Sequence, residues 1–403
     1  MGNSQRLEDR LNTQDLFVEG ANMDGQLQHA MLPQPTHDEL ARQQFVHSLK
    51  QHIATQISPS NRTLYEKRAK PRFEQKHQRS PQQRHEIRQL MEQEPYYRMW
   101  GALRRNAQEM LWESVNLSVE RQLPELMARS QQLHQTAIGS LTLNPELQVP
   151  TYHTAVDIHC MPGGYHSEYR DEDIAAGVTY DRGVYLYTMG RLGPLNDGMG
   201  QAVVQNYLKA QYPELNPAKI LDMGCSVGHS TLPYIDAYPQ AEIHAIDVAA
   251  PTLRYAHARA EALGKRVHFA QQNAEQTDFA DESFDLVVSH ILLHEAPPTA
   301  IANILSECHR LLKPGGLMVH AEAPLYQNMD PFSAFMFDWE TQNNNEPWWS
   351  AMRQLDLESL TIKAGFAQEK TTQTVAAMEL NSGQLKDGGF GSRGNWFLLV
   401  AHK

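Results

Sequence analysis

Only three cysteines, Cys160, Cys225 and Cys308, occur in 403 residues, and they stand at no paired spacing. This excludes a disulfide framework and suits a reducing, cytoplasmic setting. The chain also lacks any run of the roughly eighteen apolar residues that a membrane helix needs, so no span is expected. Its first residues, MGNSQR, have no apolar stretch of a secretory signal, and Arg6 stands where a myristoylation motif wants Ser or Thr. Basic residues are outnumbered, 35 Lys and Arg against 47 Asp and Glu, for a net charge of −12. The deficit is local: residues 1–150 carry 18 basic against 17 acidic side chains, the remainder 17 against 30. So acidic a surface repels a phosphate backbone, and nucleic acid is not an expected partner of the C-terminal part.

What is present is 41% hydrophobic residues over a length that can hold two cores. Residues 1–35 are polar and weakly periodic and are expected to form a flexible lead-in. Thr36 with Glu39 forms a capping-box pattern ahead of an apolar-periodic run, which predicts a helix. A basic, Gln-rich connector follows from about Pro59 to Arg79, expected as a solvated helix or loop rather than a nucleic-acid patch. Ser80 and Pro81 repeat the start signal as N-cap and first helical residue. From Tyr96 to about Leu133, Met99, Leu103, Met110, Leu111, Val115, Val119 and Leu123 recur at helical spacing, with a kink or break predicted at Pro124. Residues 36–140 thus read as an all-helical unit. Residues 141–200, rich in Pro, Gly, Tyr and His, read as a lid or linker. From 201 to 403, strand and helix patterns alternate, which predicts a parallel sheet with helices on both faces.

The stretch KILDMGCSVGHSTL is a short apolar strand and a glycine-broken turn running into a helix. A dinucleotide fingerprint needs G-x-G-x-x-G, and a phosphate loop needs G-x-x-x-x-G-K-[ST]. Here Gly224 and Gly228 enclose Cys-Ser-Val, and no lysine follows. Asp222 at the strand end favours a ligand with a cationic ammonium group, such as a methionine moiety, over an anionic phosphate. The next strand, AEIHAIDV, ends in Asp247, whose carboxylate can accept from both hydroxyls of a ribose. After the third strand, Asn273 can bond an adenine edge, with Ala274 leaving room for the ring.

With these stations in order (LDMGCSVG, AIDV, QQNAE, SFDLVVS, LLKPGG), residues 185 to 330 resemble the class I S-adenosylmethionine-dependent methyltransferases. The resemblance implies an α/β, Rossmann-like, doubly wound seven-stranded sheet ending in an antiparallel pair, joined to the helical N-terminal region. It implies that the loop from Asp222 through Gly224, Cys225, Ser226 and Gly228 wraps the methionine part of S-adenosylmethionine. Asp247 and Val248 would border ribose, Asn273, Ala274 and Glu275 adenine, with Ser289 and Tyr180 completing the cofactor site. Ser226 departs from the glycine that many members carry. GNWFLLVAHK can supply the last strand; the sixth is expected near FAQEKTTQ.

Methyl transfer from a sulfonium is an in-line displacement, and a base is needed only where the acceptor must lose a proton. The acceptor pocket of an open α/β sheet lies beyond the carboxyl ends of its strands, so the exit of strand four, SHILLHE, is the first place to look. His294 is the leading base candidate there, His290 the second, and Tyr187 a further catalytic candidate. Tyr165, Tyr169, Tyr180, Tyr185 and Tyr187 are expected to form a polar lid, and the aromatic segment FSAFMFDWETQNNNEPWWSAM a second wall. No metal is expected: His159, Cys160 and His166 lack a fourth ligand at familiar spacing. The expected activity is methyl transfer to a small-molecule acceptor, oxygen slightly favoured, with the helical region as a cap or homodimer contact. The alternatives are a macromolecule methyltransferase docking RNA or protein through the basic connector, and a non-catalytic cofactor-binding module.

Overall fold

The computed structural model describes residues 25–377 and 395–403. Short apolar runs form the strands of one sheet: β1 (Ser140–Thr142), β2 (Lys219–Met223), β3 (Glu242–Asp247), β4 (His268–Gln271), β5 (Phe284–His290), β6 (Leu312–Glu322), β7 (Thr371–Ala377) and β8 (Asn395–His402). Their order is β1-β4-β3-β2-β5-β6-β8-β7. β8 runs antiparallel to both its neighbours and the other pairings are parallel. Seven of these strands make the expected sheet. The extra edge strand, β1, straddles the boundary between the helical region and the lid segment. The sixth expected strand begins at Thr371, five residues later than FAQEKTTQ starts. β2 pairs with β3 on one side and β5 on the other. Strand order reverses there, opening a crevice beyond the carboxyl ends of β2 and β5.

Thr36 and Glu39 form the capping box of helix His37–His52, as the spacing predicts. The connector is helical and packed: Tyr65, Ala69 and Phe73 are buried. Helix Arg84–Met91 starts later than Ser80 and Pro81 suggest, because Gln83 forms the capping box with Glu86. Helix Pro95–Gln135 runs through Pro124 without a break. Pro124 and Glu120 lie on the exposed face, where water can satisfy the carbonyl that proline leaves unpaired, while buried Val119, Leu123 and Leu126 hold the inner face.

The helical region shares its cores with the rest of the chain. Trp100, Tyr65 and Ile87 pack with Phe332, Phe335 and Trp339 from the segment after β6, while Trp112, Val115 and Val119 pack with Val178, Leu186 and Tyr255. A Cβ at Gly183 would sit 2.2 Å from the Trp112 ring, so only glycine permits that approach.

The lead-in expected to be flexible is ordered where it is described: Gln26, His29, Met31 and Leu32 are buried. His29 reaches the carboxylate of Asp181 (3.2 Å), which also accepts from Arg259 Nε and Tyr255 Oη, each at 2.9 Å. A local polar composition cannot reveal a partner 152 residues away. The remainder of that lead-in, residues 1–24, lies outside the described residues. Among the described residues no helix is long and apolar enough to cross a membrane.

Candidate active site

The crevice opens into a cavity of about 510 Å3 bordered by the loops after β2, β3, β4 and β5. After β2 the chain turns through three left-handed residues, Gly224 (φ +70°), Ser226 (φ +48°) and Gly228 (φ +77°). A Cβ on Gly224 would lie 2.6 Å from the Leu292 side chain. Ser226 accepts a conformation that costs an L-residue about 1–2 kcal/mol, and its buried hydroxyl has no hydrogen-bond partner. At the end of β3, Asp247 accepts from Ser226 N (Oδ2, 2.9 Å) and Ala249 N (Oδ1, 2.9 Å). Burial raises its carboxyl above the ordinary value. Asp222 accepts from Thr231 Oγ1 at 2.6 Å and stands 3.4 Å from His290 Nδ1.

Of the residues singled out from the sequence, Asp222, Gly224, Cys225, Ser226, Asp247, Val248, Asn273, Ala274, His290, His294, Tyr180 and Tyr187 border this one cavity. Gly228, Glu275 and Ser289 do not. Gly228 donates its amide to Cys225 O and closes the turn. Glu275 is held by Tyr152 and Asn303. Ser289 precedes His290 in β5, and alternation along a strand sends the two to opposite faces; its hydroxyl meets His320 Nδ1 at 2.6 Å. Asn273 Oδ1 accepts from Glu275 N at 2.9 Å, so its amide nitrogen is the group left to donate.

Both ring nitrogens of His290 are engaged, by Asp222 and by Tyr234 Oη at 3.2 Å. His294 differs. Its Nδ1 meets Glu322 Oε2 at 2.7 Å, and its Nε2 stands 3.9 Å from Glu346. His159 borders the same cavity and is paired likewise, Nδ1 to Glu346 at 2.9 Å and Nε2 to Glu295 at 3.6 Å. Tyr165 closes the chain of partners by donating to Glu295 at 3.1 Å. Burial opposes charge on both histidines, but Glu322 on His294 and Glu346 with Glu295 on His159 outweigh it. His294 is raised, and His159 reaches about 10. Glu295 and Glu346 are lowered despite their burial, by the histidines they face, so both partners favour the ionised pairs. Burial, with Glu340 and Glu346, holds the Tyr187 hydroxyl well above its ordinary value, which makes it a donor rather than a base.

The lid divides. Tyr165, Tyr180 and Tyr187 border the cavity, whereas Tyr169 is exposed and Tyr185 packs in a core. His159, Cys160 and His166 take separate partners: the thiol of Cys160 faces Asn343 O and Asn344 Oδ1, and His166 lies against His153. From the aromatic segment, Phe337, Trp339 and Trp349 reach the cavity. Glu322 was legible in principle, as a carboxylate at the end of the strand next to β5, where His290 pairs with Ala321. Glu346, which pairs with His159, and the helical residues Lys50, Trp100 and Arg104, which border the cavity, carry no local signal.

Residues 220–316 match the family model of a methyltransferase domain. An uncharacterized methyltransferase of Synechocystis sp. is 31% identical over 187 residues, spanning 45% of this chain and 82% of that protein. A malonyl-[acyl-carrier protein] O-methyltransferase of Methylococcus capsulatus is 35% identical over 103 residues, 25% of this chain and only 35% of that enzyme. A solved putative O-methyltransferase from Nostoc punctiforme aligns with 54% of this chain and 60% of its own at 22% identity, with a TM-score of 0.38. The chain belongs to the class I S-adenosylmethionine-dependent methyltransferases.

Proposed function

We propose that this methyltransferase acts on a small-molecule acceptor, with oxygen the favoured atom. The observation that carries the reading is His294, backed by Glu322 at 2.7 Å on the wall of the cavity that the glycine loop also borders.

The residues at the crevice suit the cofactor. Gly224 leaves a cradle that a side chain would fill, Ser226 offers an unpartnered buried hydroxyl, and each oxygen of Asp247 accepts one backbone amide and keeps a lone pair. Asp222 to Ser226 would hold the methionine end, Asp247 the ribose, and Asn273 and Ala274 the adenine. The bound sulfonium supplies an electrophilic methyl group. Glu322 fixes the His294 ring through Nδ1, so Nε2 is the atom that takes the hydroxyl proton of the acceptor. The same pairing that strengthens this base keeps it protonated at lower pH, so turnover climbs as pH rises through its raised value.

Residues 36–140 would cap the acceptor chamber, 141–200 furnish its lid, and 201–403 hold the cofactor. Five of the seven Lys and Arg side chains between 59 and 79 are already paired within the chain, Arg62 to Asp330, Arg68 and Arg72 to Glu94, Lys70 to Glu66 and Arg79 to Glu86. That supports a small acceptor over RNA.

The test is incubation with S-adenosylmethionine and a panel of phenols, alcohols and amines, read by mass for the gain of one CH2. His294→Ala should lower turnover on the hydroxyl acceptor about 10²–10⁴-fold while S-adenosylhomocysteine affinity holds. Unchanged turnover would remove His294 from the chemistry, and a preference for amines would replace oxygen as the acceptor atom.

A further inference from the structure

The lid segment brings His159 to the carboxylates around the candidate base. Its backbone is left-handed (φ +56°), as is that of Cys160 after it (φ +59°), a region that residues with side chains seldom occupy and keep only where their surroundings fix them. Helix Pro95–Gln135 supplies that hold: Trp112 Nε1 and Gln108 Nε2 donate to the His159 carbonyl at 2.7 and 3.0 Å. The ring then lies between carboxylates of two other segments, Nδ1 at 2.9 Å from Glu346 Oε1 and Nε2 at 3.6 Å from Glu295 Oε1. An ionised carboxylate only accepts, so a ring that meets one at each nitrogen carries a hydrogen on both and is a cation. Burial opposes that charge, but Glu346 and Glu295 outweigh it and bring the ring to about 10.

Glu346 faces two histidines. Its Oε1 meets His159 and accepts from Asn344 Nδ2 at 2.8 Å, while its Oε2 stands 3.9 Å from His294 Nε2. Among the described residues that buried Oε2 has no hydrogen-bond partner. Nε2 is the nitrogen through which His294 takes a proton, and Glu322 already holds Nδ1 at 2.7 Å. A second carboxylate left without a counter-charge would keep the ring protonated and so remove it as a base.

We propose that His159 is a positioning residue for methyl transfer, the lid cation that compensates Glu346 and so leaves His294 free to take the proton of the acceptor. The inference rests on the reading of His294 as the base and adds the dependence of that base on the lid. The charged and titratable groups that face His294 are Glu322, Glu346 and Glu295; those that face His159 are Glu346, Glu295, Glu340, Tyr165 and Tyr187. Glu340 is paired with Arg104, and burial holds both tyrosine hydroxyls well above their ordinary values, so they stay neutral. Loss of the His159 charge therefore adds net negative charge beside His294, whose imidazole then gives up its proton only at higher pH.

The experiment is an NMR titration of the full chain, labelled at the histidine ring carbons and saturated with S-adenosylhomocysteine, with the His294 and His159 signals identified by their loss in His294→Ala and His159→Asn. Asparagine removes the charge and tolerates the left-handed backbone. The His294 midpoint should rise by about one pH unit or more in His159→Asn and return toward wild type in His159→Lys, which restores a cation. In a Glu346→Gln background His159→Asn should move it far less, because the carboxylate through which it acts is gone. In the wild type itself, His159 should still be protonated where His294 loses its proton; a His159 that titrates first overturns the proposal without any effect on the fold to consider. A His294 midpoint unmoved in His159→Asn, or moved as far in the Glu346→Gln background, or still raised in His159→Lys, overturns it too and leaves the cofactor site and the base standing. Turnover unchanged in His294→Ala overturns the underlying reading and this one with it.

Discussion

Asp181 offers the sharpest test of how the cofactor loop is held. It is 1% exposed, and its carboxylate binds six side chains from distant parts of the chain. Oδ1 meets Gln26 (3.3 Å), Asn196 (3.4 Å) and His229 (2.9 Å); Oδ2 meets His29 (3.2 Å), Tyr255 (2.9 Å) and Arg259 (2.9 Å). Asp181→Asn keeps the shape but can present only one acceptor oxygen. With the carbonyl on the Oδ1 side, an NH2 group faces Arg259 and Tyr255, leaving a buried guanidinium, itself 1% exposed, without its counter-charge. Breaking a buried pair in this way costs about 3–5 kcal/mol, in line with two lost charge-assisted bonds at about 1.5–3 kcal/mol each. At about 2 °C per kcal/mol for a large domain, the melting temperature should fall by roughly 5–10 °C. Because His229 borders the cavity beside the glycine loop, S-adenosylhomocysteine affinity should fall as well.

The assay is thermal unfolding followed by tryptophan fluorescence, repeated on Arg259→Met and the double variant. The double variant should be less destabilised than the two singles together, since each single strands a buried partner. Burial opposes ionisation of Asp181, but Arg259 and His229 more than offset it and hold its carboxyl well below the ordinary value. Its contribution is therefore full above the unfolded carboxyl value near about 4 and is lost as pH falls toward the depressed folded value. The gap between wild type and variant should narrow only in that acid range. A loss under about 1 kcal/mol, or strict additivity of the two substitutions, would refute the reasoning.

Two further outcomes follow from the same geometry. Asp247→Ala should abolish micromolar binding of S-adenosylmethionine in calorimetry, with NAD binding neither protein; NAD binding to the wild type would mean that the loop has been misread. Glu322→Gln should lower turnover and, by removing the main charge that raises the His294 imidazole, move the rising limb of the pH–rate profile to lower pH; an unmoved limb would assign that titration to another group.

The stations of the cofactor domain are local and were legible. A glycine-broken turn needs left-handed residues at fixed positions, and a strand ending in Asp places a carboxylate at the crevice whatever lies elsewhere, so Gly224, Asp222 and Asp247 could be found by spacing. The same holds for His294, which sits on the loop leaving β5. Residue type could not say which way a side chain on a known strand faces, and so it could not reveal that Ser289 turns to His320 and does not border the cavity. Nor could it distinguish His290, tied through both nitrogens, from His294, oriented through one.

The sequence by itself determined seven strands of the sheet, the glycine-broken turn with its strand-end carboxylates, and the helical character of the N-terminal region, because periodicity, turn chemistry and capping act over a few residues. Only the tertiary structure decided which residues outside the cofactor-domain loops border the cavity. Lys50, Arg104 and His159, which border it, and Glu346, which pairs with His159, come from separate parts of the chain, and each is an ordinary surface residue type by composition. Burial beside one another gives them their charge states and directions, since in a low-dielectric cavity a charge is set by the partners that packing brings to it.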